Sequence, residues 1–327
     1  LFEQVLDPTE VVIAELVDAL LDWRDRDDET RLNGAESDYY SQLEPTPYQA
    51  KNRPFETVEE LLLVRGFSTA VLFGEDYNRN GLLDSNEDDG DDSFPPDNAD
   101  GQLDRGLLPF ITVWSRELNT AADKRPRINL NARNVEQLAE QLTEFFEPAV
   151  VEFIVAARKA GKTFASPADL LEMDGSPVGL EDMPTVMDRL TTRPLPGFVG
   201  LVNVNAAPAE VLRSLGVLSE EEVAAIIQAR DRLSDEDKLT TAWLLTEGVL
   251  SLERFKQAEP LLTTKAMQFS VESLGYADHV GLVKRISVVL EMRGPRGQIL
   301  YCRDLTPLGL AYHVRELGDE VFGTSSG

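Results

Sequence analysis

Apolar residues near the start of the chain repeat with the period of an α-helix. The stripe they form consists of Ile13, Leu16, Val17, Leu20 and Trp23. Asp7 can cap this helix, Pro8 suits its first helical position, and Glu10 lies three residues after the cap. We therefore predict an amphipathic opening helix whose apolar stripe packs against the rest of its domain.

Shorter patterns follow the opening helix. The run from Glu59 to Val64 has the pattern of a short helix, and Gly66 can close it. The apolar runs Val71 to Phe73 and Leu108 to Trp114 predict two short strands.

A repeat occupies the middle of the chain. Asn129-Leu130-Asn131 is followed by Leu138, and Asn203-Val204-Asn205 is followed at the same spacing by Leu212. Each copy continues into a second helix that carries Ala and ends in Arg, which predicts an Asn-capped helical hairpin. Two copies 74 residues apart indicate helix-hairpin-helix-like units in an all-helical domain from about 128 to 265.

The C-terminal part has the period of β-strands. Met267 to Glu272, Arg285 to Met292 and Gln298 to Asp304 alternate in polarity or are β-branched, and Gly294-Pro295-Arg296-Gly297 is a turn. The pattern predicts an antiparallel meander.

Together these elements predict an α+β fold, because a lone helix and a small sheet each need a partner for their apolar face. The opening helix would pack on the small antiparallel sheet, with the large helical domain inserted between them. Residues 1–127 would form the N-terminal part of this body, 128–265 the helical domain, and 266–327 the sheet and a flexible tail.

Charge narrows the possible functions. The formal net charge is −27, and residues 75–104 hold eleven carboxylates and a single basic residue, Arg79. A surface this acidic repels nucleic acid and anionic lipid and favours cations or basic partners. A nucleic-acid-binding helix-hairpin-helix protein is the main alternative from another class, although its hairpins would lack the glycines that hold phosphate.

Residues 76–87 fit the twelve-residue pattern of an EF-hand calcium loop. The predicted ligands are Asp76, Asn78, Asn80, the Leu82 carbonyl, Asp84 and Glu87. The flanking sequence does not resemble a paired EF-hand, which favours one structural calcium site that orders the acidic residues 75–104. The alternative is a solvated acidic loop.

A second, weaker metal site is predicted at Asp97, Asp100 and Asp104, where the Asp-Gly-x-Leu-Asp core recurs. Leu107 occupies the position at which a closing carboxylate would stand. The alternative is that these side chains form Asx turns.

No catalytic residues are predicted. The chain has two histidines, His279 and His313, and one cysteine, Cys302, which excludes a multi-histidine centre and a cysteine cluster. Paired carboxylates such as Asp88 and Asp89 keep a secreted calcium-dependent hydrolase as the alternative from the enzyme class.

Four runs resemble general secretion pathway protein K, the K-type minor pseudopilin family of type II secretion systems. They are Leu21-Asp22-Trp23-Arg24-Asp25, Asn33-Gly34-Ala35-Glu36 with Tyr39-Tyr40, Glu60-Leu61-Leu62-Leu63-Val64-Arg65-Gly66, and the run from Asn203 to Leu212. The resemblance implies a non-enzymatic subunit at the tip of a periplasmic pseudopilus, which supports its assembly and protein export. The implied partners are the I- and J-type minor pseudopilins and the major pseudopilin.

The same resemblance implies bound calcium and an N-terminal membrane helix that anchors the full-length protein in the bacterial inner membrane. The chain opens with Leu1, and none of its apolar runs reaches the ~18 residues that a membrane span needs. Membrane contact is therefore expected only through a helix that this sequence does not contain. The family's metal ligands carry over onto Asp76, Asn78, Asn80, Asp84 and Glu87.

Overall fold

The computed structural model of the chain describes residues 1–6, 11–277, 282–293, 296–309 and 311. The chain forms two compact units. The first, called here the helical unit, comprises Ser115–Met267 together with Leu1. The second, called the acidic unit, comprises Phe2–Trp114 and Gln268–Gly327, so its two segments flank the helical unit in sequence.

The helices in chain order are α1 (Phe2–Val5), α2 (Ile13–Arg24), α3 (Ser37–Tyr40), α4 (Thr69–Phe73), α5 (Val135–Leu142), α6 (Pro148–Lys159), α7 (Met183–Arg189), α8 (Ala209–Ser214), α9 (Glu220–Arg232), α10 (Trp243–Thr246) and α11 (Leu252–Ala258). The strands are β1 (Arg116–Leu118), β2 (Ile128–Asn129), β3 (Leu190–Thr191), β4 (Gly197–Val199), β5 (Val202–Asn203), β6 (Leu262–Thr263), β7 (Gln268–Ala277), β8 (Leu282–Arg293) and β9 (Arg296–Asp304). Turns of 3₁₀ helix include Val58–Leu63, Ser85–Glu87 and Leu108–Phe110. No helix in the described ranges is both long and apolar enough to cross a membrane.

The opening helix is present as α2, and it buries Leu16, Ala19 and Trp23. The predicted cap residues Asp7, Pro8 and Glu10 lie outside the described residues. The core around α2 is built from α3, the Val58–Leu63 turn, α4 and Leu107, and it holds no residue of the described sheet. The predicted packing of this helix on the sheet is therefore wrong.

Aromatic side chains occupy the place that the sheet was expected to fill beside α2. The rings of Trp23 and Tyr40 lie 5.1 Å apart, edge to face, and Tyr48 stacks on Tyr40 at 5.3 Å. Trp23 Nε1 also donates to Glu60 Oε1 at 2.9 Å. The apolar stripe of α2 thus finds its partners within residues nearby in sequence.

The meander is confirmed as an antiparallel sheet with the order β7-β8-β9. In contrast, Val71 to Phe73 lies in helix α4 and not in a strand. Ser68 Oγ accepts a hydrogen bond from the Val71 amide at 3.2 Å, and this cap starts a helix in a run too short to show a period. The start of the second predicted strand, Leu108–Phe110, is a 3₁₀ turn that contains Pro109.

The helical unit repeats one set of contacts. The Asn131 side-chain amide donates to Phe164 O at 2.8 Å, and that of Asn205 donates to Lys238 O at 2.9 Å. The unit is not purely helical, because β2 pairs in parallel with β3 and β5 pairs in parallel with β6. The extended residues that precede α5 and α8 find a strand partner, which the helical pattern does not reveal. Asn134 caps α5, whereas α8 begins after Pro208 without a side-chain cap, so the predicted Asn cap is wrong for the second copy. The unit also starts before residue 128, since β1 pairs with β4.

Candidate metal site

The two ends of the acidic segment, residues 75–104, are held together by backbone contacts. The Glu75 amide donates to Asp104 O at 2.9 Å, and the Leu107 amide donates to Val71 O at 3.1 Å. Gly74 ends α4 with a positive φ of 61°, and a Cβ there would lie 2.3 Å from Asp104 O. Only glycine permits this approach. The segment therefore leaves and rejoins the acidic unit at one point.

The first half of the predicted loop wraps around Asp76. Its Oδ1 accepts from the Asn80 amide at 2.9 Å, and its Oδ2 accepts from the Gly81 amide at 3.1 Å. Asn78 Oδ1 accepts from the Asn80 amide and Asn80 Oδ1 from the Leu82 amide, at 2.9 and 2.7 Å. Gly81 has a φ of +71°, which allows the sharp turn expected there.

The second half of the loop brings Asp84 and Glu87 to the same place. Asp84 Oδ2 accepts from the side-chain amides of Asn78 and Asn80, at 2.6 and 3.0 Å. Glu87 Oε2 accepts from the Asp84 amide at 3.1 Å. The structure thus links Asp76, Asn78, Asn80, Asp84 and Glu87 within one small network. Leu82 takes part through its amide, and its side chain is partly exposed.

Glu87 is the most unusual member of this network. It is 1% exposed, and its Oε1 atom is buried with no hydrogen-bond partner among the described residues. Burial raises the pKa of the Glu87 carboxyl, and the nearby charges of Asp76 and Asp84 raise it further. A buried carboxylate oxygen without a donor is costly, and a cation would remove that cost.

The oxygen atoms of the loop are of the type that a hard cation binds, but they are not arranged as a coordination shell. Oxygen donors from Asp, Asn and Glu are those that Ca²⁺ prefers. However, Asn78 and Asn80 direct their amide nitrogens to Asp84, so binding through them requires each to present its oxygen instead. Within the described part of the chain, no three His, Cys, Asp or Glu side chains are already grouped to hold a metal ion. The metal ligands therefore stay a prediction.

The second predicted set has a different environment. Asp97 Oδ1 accepts from the amides of Gly90 and Ala99, at 2.8 and 2.7 Å, and Oδ2 accepts from the Asp89 amide. Burial raises the pKa of Asp97, but the three backbone hydrogen bonds together outweigh it and lower the pKa below its usual value. Asp100 and Asp104 each accept from a backbone amide two residues ahead. Such bonds are those of Asx turns, the alternative that the sequence left open.

Two residues near the loop were not predicted as part of the site. Glu75 is 7% exposed and accepts from the amides of Asn98 and Asp104, which ties the two acidic stretches together. Burial raises its pKa, against the lowering effect of those bonds. Arg285 on β8 contacts the loop backbone from about 200 residues away in sequence. Glu75 stands directly before the motif and could have been found, whereas Arg285 gives no local signal.

Comparison with known proteins adds family information. Two family models, both described as "Type II secretion system (T2SS), protein K", match residues 2–73 and residues 202–272. A search of curated proteins finds no match. Among solved structures, the chain is similar to a chain of "the GspK-GspI-GspJ complex from enterotoxigenic Escherichia coli Type 2 Secretion System", with 12% identity and a TM-score of 0.40. The likeness covers 89% of this chain and 62% of that chain, so this chain spans less than two thirds of its relative.

The two family matches fall in separate parts of the sequence, one in the acidic unit and one largely in the helical unit. The first includes the Asp22-Trp23, Asn33–Glu36 and Glu60–Gly66 runs, and the second includes Asn203 to Leu212. Both matches give the same protein of the same secretion machine, so residues 2–73 and residues 202–272 are similar to the type II secretion system protein K family.

Proposed function

We propose that this chain acts as a minor pseudopilin, a structural subunit at the tip of the type II secretion pseudopilus that supports pseudopilus assembly and protein export. The observation that carries this proposal is the match of protein K models in both compact units. The proposed partners are the I- and J-type minor pseudopilins and the major pseudopilin. The proposed location is the periplasm, with the full-length protein anchored in the bacterial inner membrane.

Assembly with purified partners tests the proposal. The soluble regions of the I- and J-type pseudopilins encoded with this protein would be mixed with it and analysed by size-exclusion chromatography with light scattering. The expected result is a stable complex that contains one copy of each. A mixture in which an unrelated protein of similar charge replaces this chain is the control. Three separate peaks with the natural partners at micromolar concentrations would contradict the proposal.

We also propose that calcium binds residues 76–87 and stabilises the acidic unit. Support comes from the convergence of Asp76, Asp84 and Glu87, and from the buried Glu87 Oε1 atom without a donor. The ion would supply positive charge among carboxylates that otherwise repel one another. Asp76, Asp84 and Glu87 would hold it, and Asn78 and Asn80 would complete the shell after their amides turn.

Thermal unfolding with calcium and with EDTA tests this second proposal. Calcium at a hundred times its Kd is expected to stabilise the protein by about 2.7 kcal/mol, which EDTA reverses. Glu87→Gln is expected to abolish most of this response. Asp92→Asn is the matched control, because Asp92 is an exposed carboxylate of the same segment outside the ligand set. An unchanged melting temperature in wild-type protein would rule out a stabilising calcium site.

A further inference from the structure

Arg285 lies beneath the predicted metal loop and is fully buried, with an exposed fraction of 0%. Its Nη1 atom donates to Asn78 O at 2.7 Å, and its Nη2 atom donates to Arg79 O. Its Nε atom donates to Glu272 Oε1 on the neighbouring strand β7. One guanidinium group thus bridges the central strand of the sheet and two successive carbonyls of the loop.

Those two carbonyls belong to the peptide groups that shape the ligand side of the loop. On the opposite edges of the same peptide planes, the Arg79 amide donates to Asp76 O at 3.2 Å and the Asn80 amide donates to Asp76 Oδ1 at 2.9 Å. A cation bound to a peptide carbonyl polarises the peptide and strengthens its amide as a donor. Arg285 therefore fixes, through the backbone, the positions of Asp76, Asn78 and Asn80.

The backbone at this point also needs external support. Arg79 has a φ of +58°, a left-handed conformation that is unfavourable for a residue with a side chain. Its guanidinium group is held over the Phe73 ring at 3.8 Å and donates to Glu59 Oε1 at 3.0 Å. Arg285 holds the carbonyl of the same residue. Such conformations persist only where surrounding contacts enforce them.

We propose that Arg285 is a positioning residue for the metal loop and that it transmits the order of residues 76–87 to strand β8. The planar guanidinium group is suited to this role, because it donates in fixed directions to two acceptors at once and carries a permanent charge. The loop and strand β8 are then rigidly coupled. A cation that orders the loop therefore also protects the amides of the sheet from hydrogen exchange. This inference rests on the proposed calcium site.

Two measurements on the complete chain test the proposal, with Ca²⁺ as the probe. In titration calorimetry, Arg285→Gln is expected to weaken calcium binding by about 10–100-fold, the usual effect of removing a group that orients metal ligands. Lys284→Gln is the matched control, since Lys284 is the preceding residue on β8, is exposed and pairs with Asp304 away from the loop. Its affinity is expected to equal that of the wild type.

Hydrogen exchange of the wild-type protein gives an answer that does not depend on a variant. Calcium is expected to slow exchange of β8 amides near residue 285 as well as those of residues 76–87. Protection confined to the loop would overturn the proposed coupling while leaving calcium binding intact. If the wild type binds no calcium at all, the calcium site itself is wrong, so the two failures are distinguishable.

A conservative variant covers the case in which Arg285→Gln does not fold. Arg285→Lys keeps the charge but its ammonium group cannot reproduce the two fixed contacts of the guanidinium fork. If both variants fold, a calcium affinity of Arg285→Lys between those of the wild type and Arg285→Gln supports a positioning role. If only Arg285→Lys folds, a calcium affinity weaker than that of the wild type supports it. Wild-type affinity in Arg285→Lys would overturn it.

Discussion

The repeated asparagines of the helical unit and two buried carboxylates of the acidic unit differ in how their polar atoms are bonded. In the helical unit, both ends of the Asn131 side chain are bonded to Phe164, with Nδ2 donating to the carbonyl and Oδ1 accepting from the amide at 2.9 Å. Asn205 likewise donates to Lys238 O and accepts from Trp243 Nε1. In the acidic unit, both carboxylate oxygens of Glu36 and one of Glu87 are buried without a hydrogen-bond partner among the described residues.

This difference separates a repeated amide contact that is complete by itself from carboxylates whose stability depends on their surroundings. A half-buried amide whose oxygen and nitrogen are both bonded contributes to stability and fixes the local fold. A buried carboxylate without donors destabilises the folded state until a proton or a cation neutralises it. We therefore expect the Asn131 and Asn205 contacts to tolerate changes of pH and cation concentration, and the surroundings of Glu36 and Glu87 to respond to both.

The largest effect is expected when a completed buried bond pair is removed. Asn131→Ala leaves the Phe164 amide and carbonyl without their side-chain partner, and Phe164 is 4% exposed. The expected loss is about 1–3 kcal/mol in the free energy of unfolding of the helical unit, measured by urea denaturation. Arg133→Ala, an exposed neighbour, is the control and is expected to change little. Equal stability of the two variants would remove the basis of the comparison.

The opposite sign is expected at Glu36, which is 2% exposed. Burial raises its pKa to about 7, with further increases from Asp22, Asp25, Asp28 and Asp27. The folded state holds a proton on Glu36 that the unfolded state releases near pH 4.5. The stability that this bound proton contributes is therefore fully present below pH 4.5. The contribution is then lost as the pH rises towards 7.

Glu36→Gln tests this expectation, because it removes the charge and keeps the shape. At pH 8 the variant is expected to be about 1 kcal/mol more stable than the wild type. Its stability should also fall less between pH 5 and pH 8, measured by chemical denaturation at each pH. Asp38→Asn, an exposed carboxylate on the same turn, is the control. Parallel pH profiles for wild type and Glu36→Gln would show that Glu36 does not titrate in this range.

The smallest effect is expected at Asp97. Its two oxygens already accept three backbone amides, so it is less available to a cation than Glu87. Asp97→Asn is therefore expected to change calcium affinity less than Glu87→Gln does, measured by titration calorimetry. An equal or larger loss of calcium affinity in Asp97→Asn would show that the second predicted metal site, Asp97 with Asp100 and Asp104, contributes at least as much to calcium binding as the first.

The sequence by itself determined the local features of this protein. The spans of the meander, the opening helix and the Val58–Leu63 turn follow from patterns of period and turn chemistry that neighbouring residues set. The loop around Asp76 was predicted from the calcium-loop pattern, and in the structure the Asp76 carboxylate accepts hydrogen bonds from the loop's own backbone. Two short apolar runs were predicted wrongly as strands: Val71 to Phe73 lies in a helix, and Leu108–Phe110 forms a 3₁₀ turn.

Only the tertiary structure decided burial and partnership. The sequence does not show that Glu36 and Glu87 lose contact with water, that aromatic rings rather than the sheet cover α2, or that Arg285 reaches Asn78. Each of these depends on groups distant in sequence, and the cost of an unpaired charge depends on the solvent that the fold excludes from it. In the helical unit, the same bond recurs within each copy of the repeated motif, from Asn131 to Phe164 and from Asn205 to Lys238, so the spacing of the repeat in the sequence already contains it.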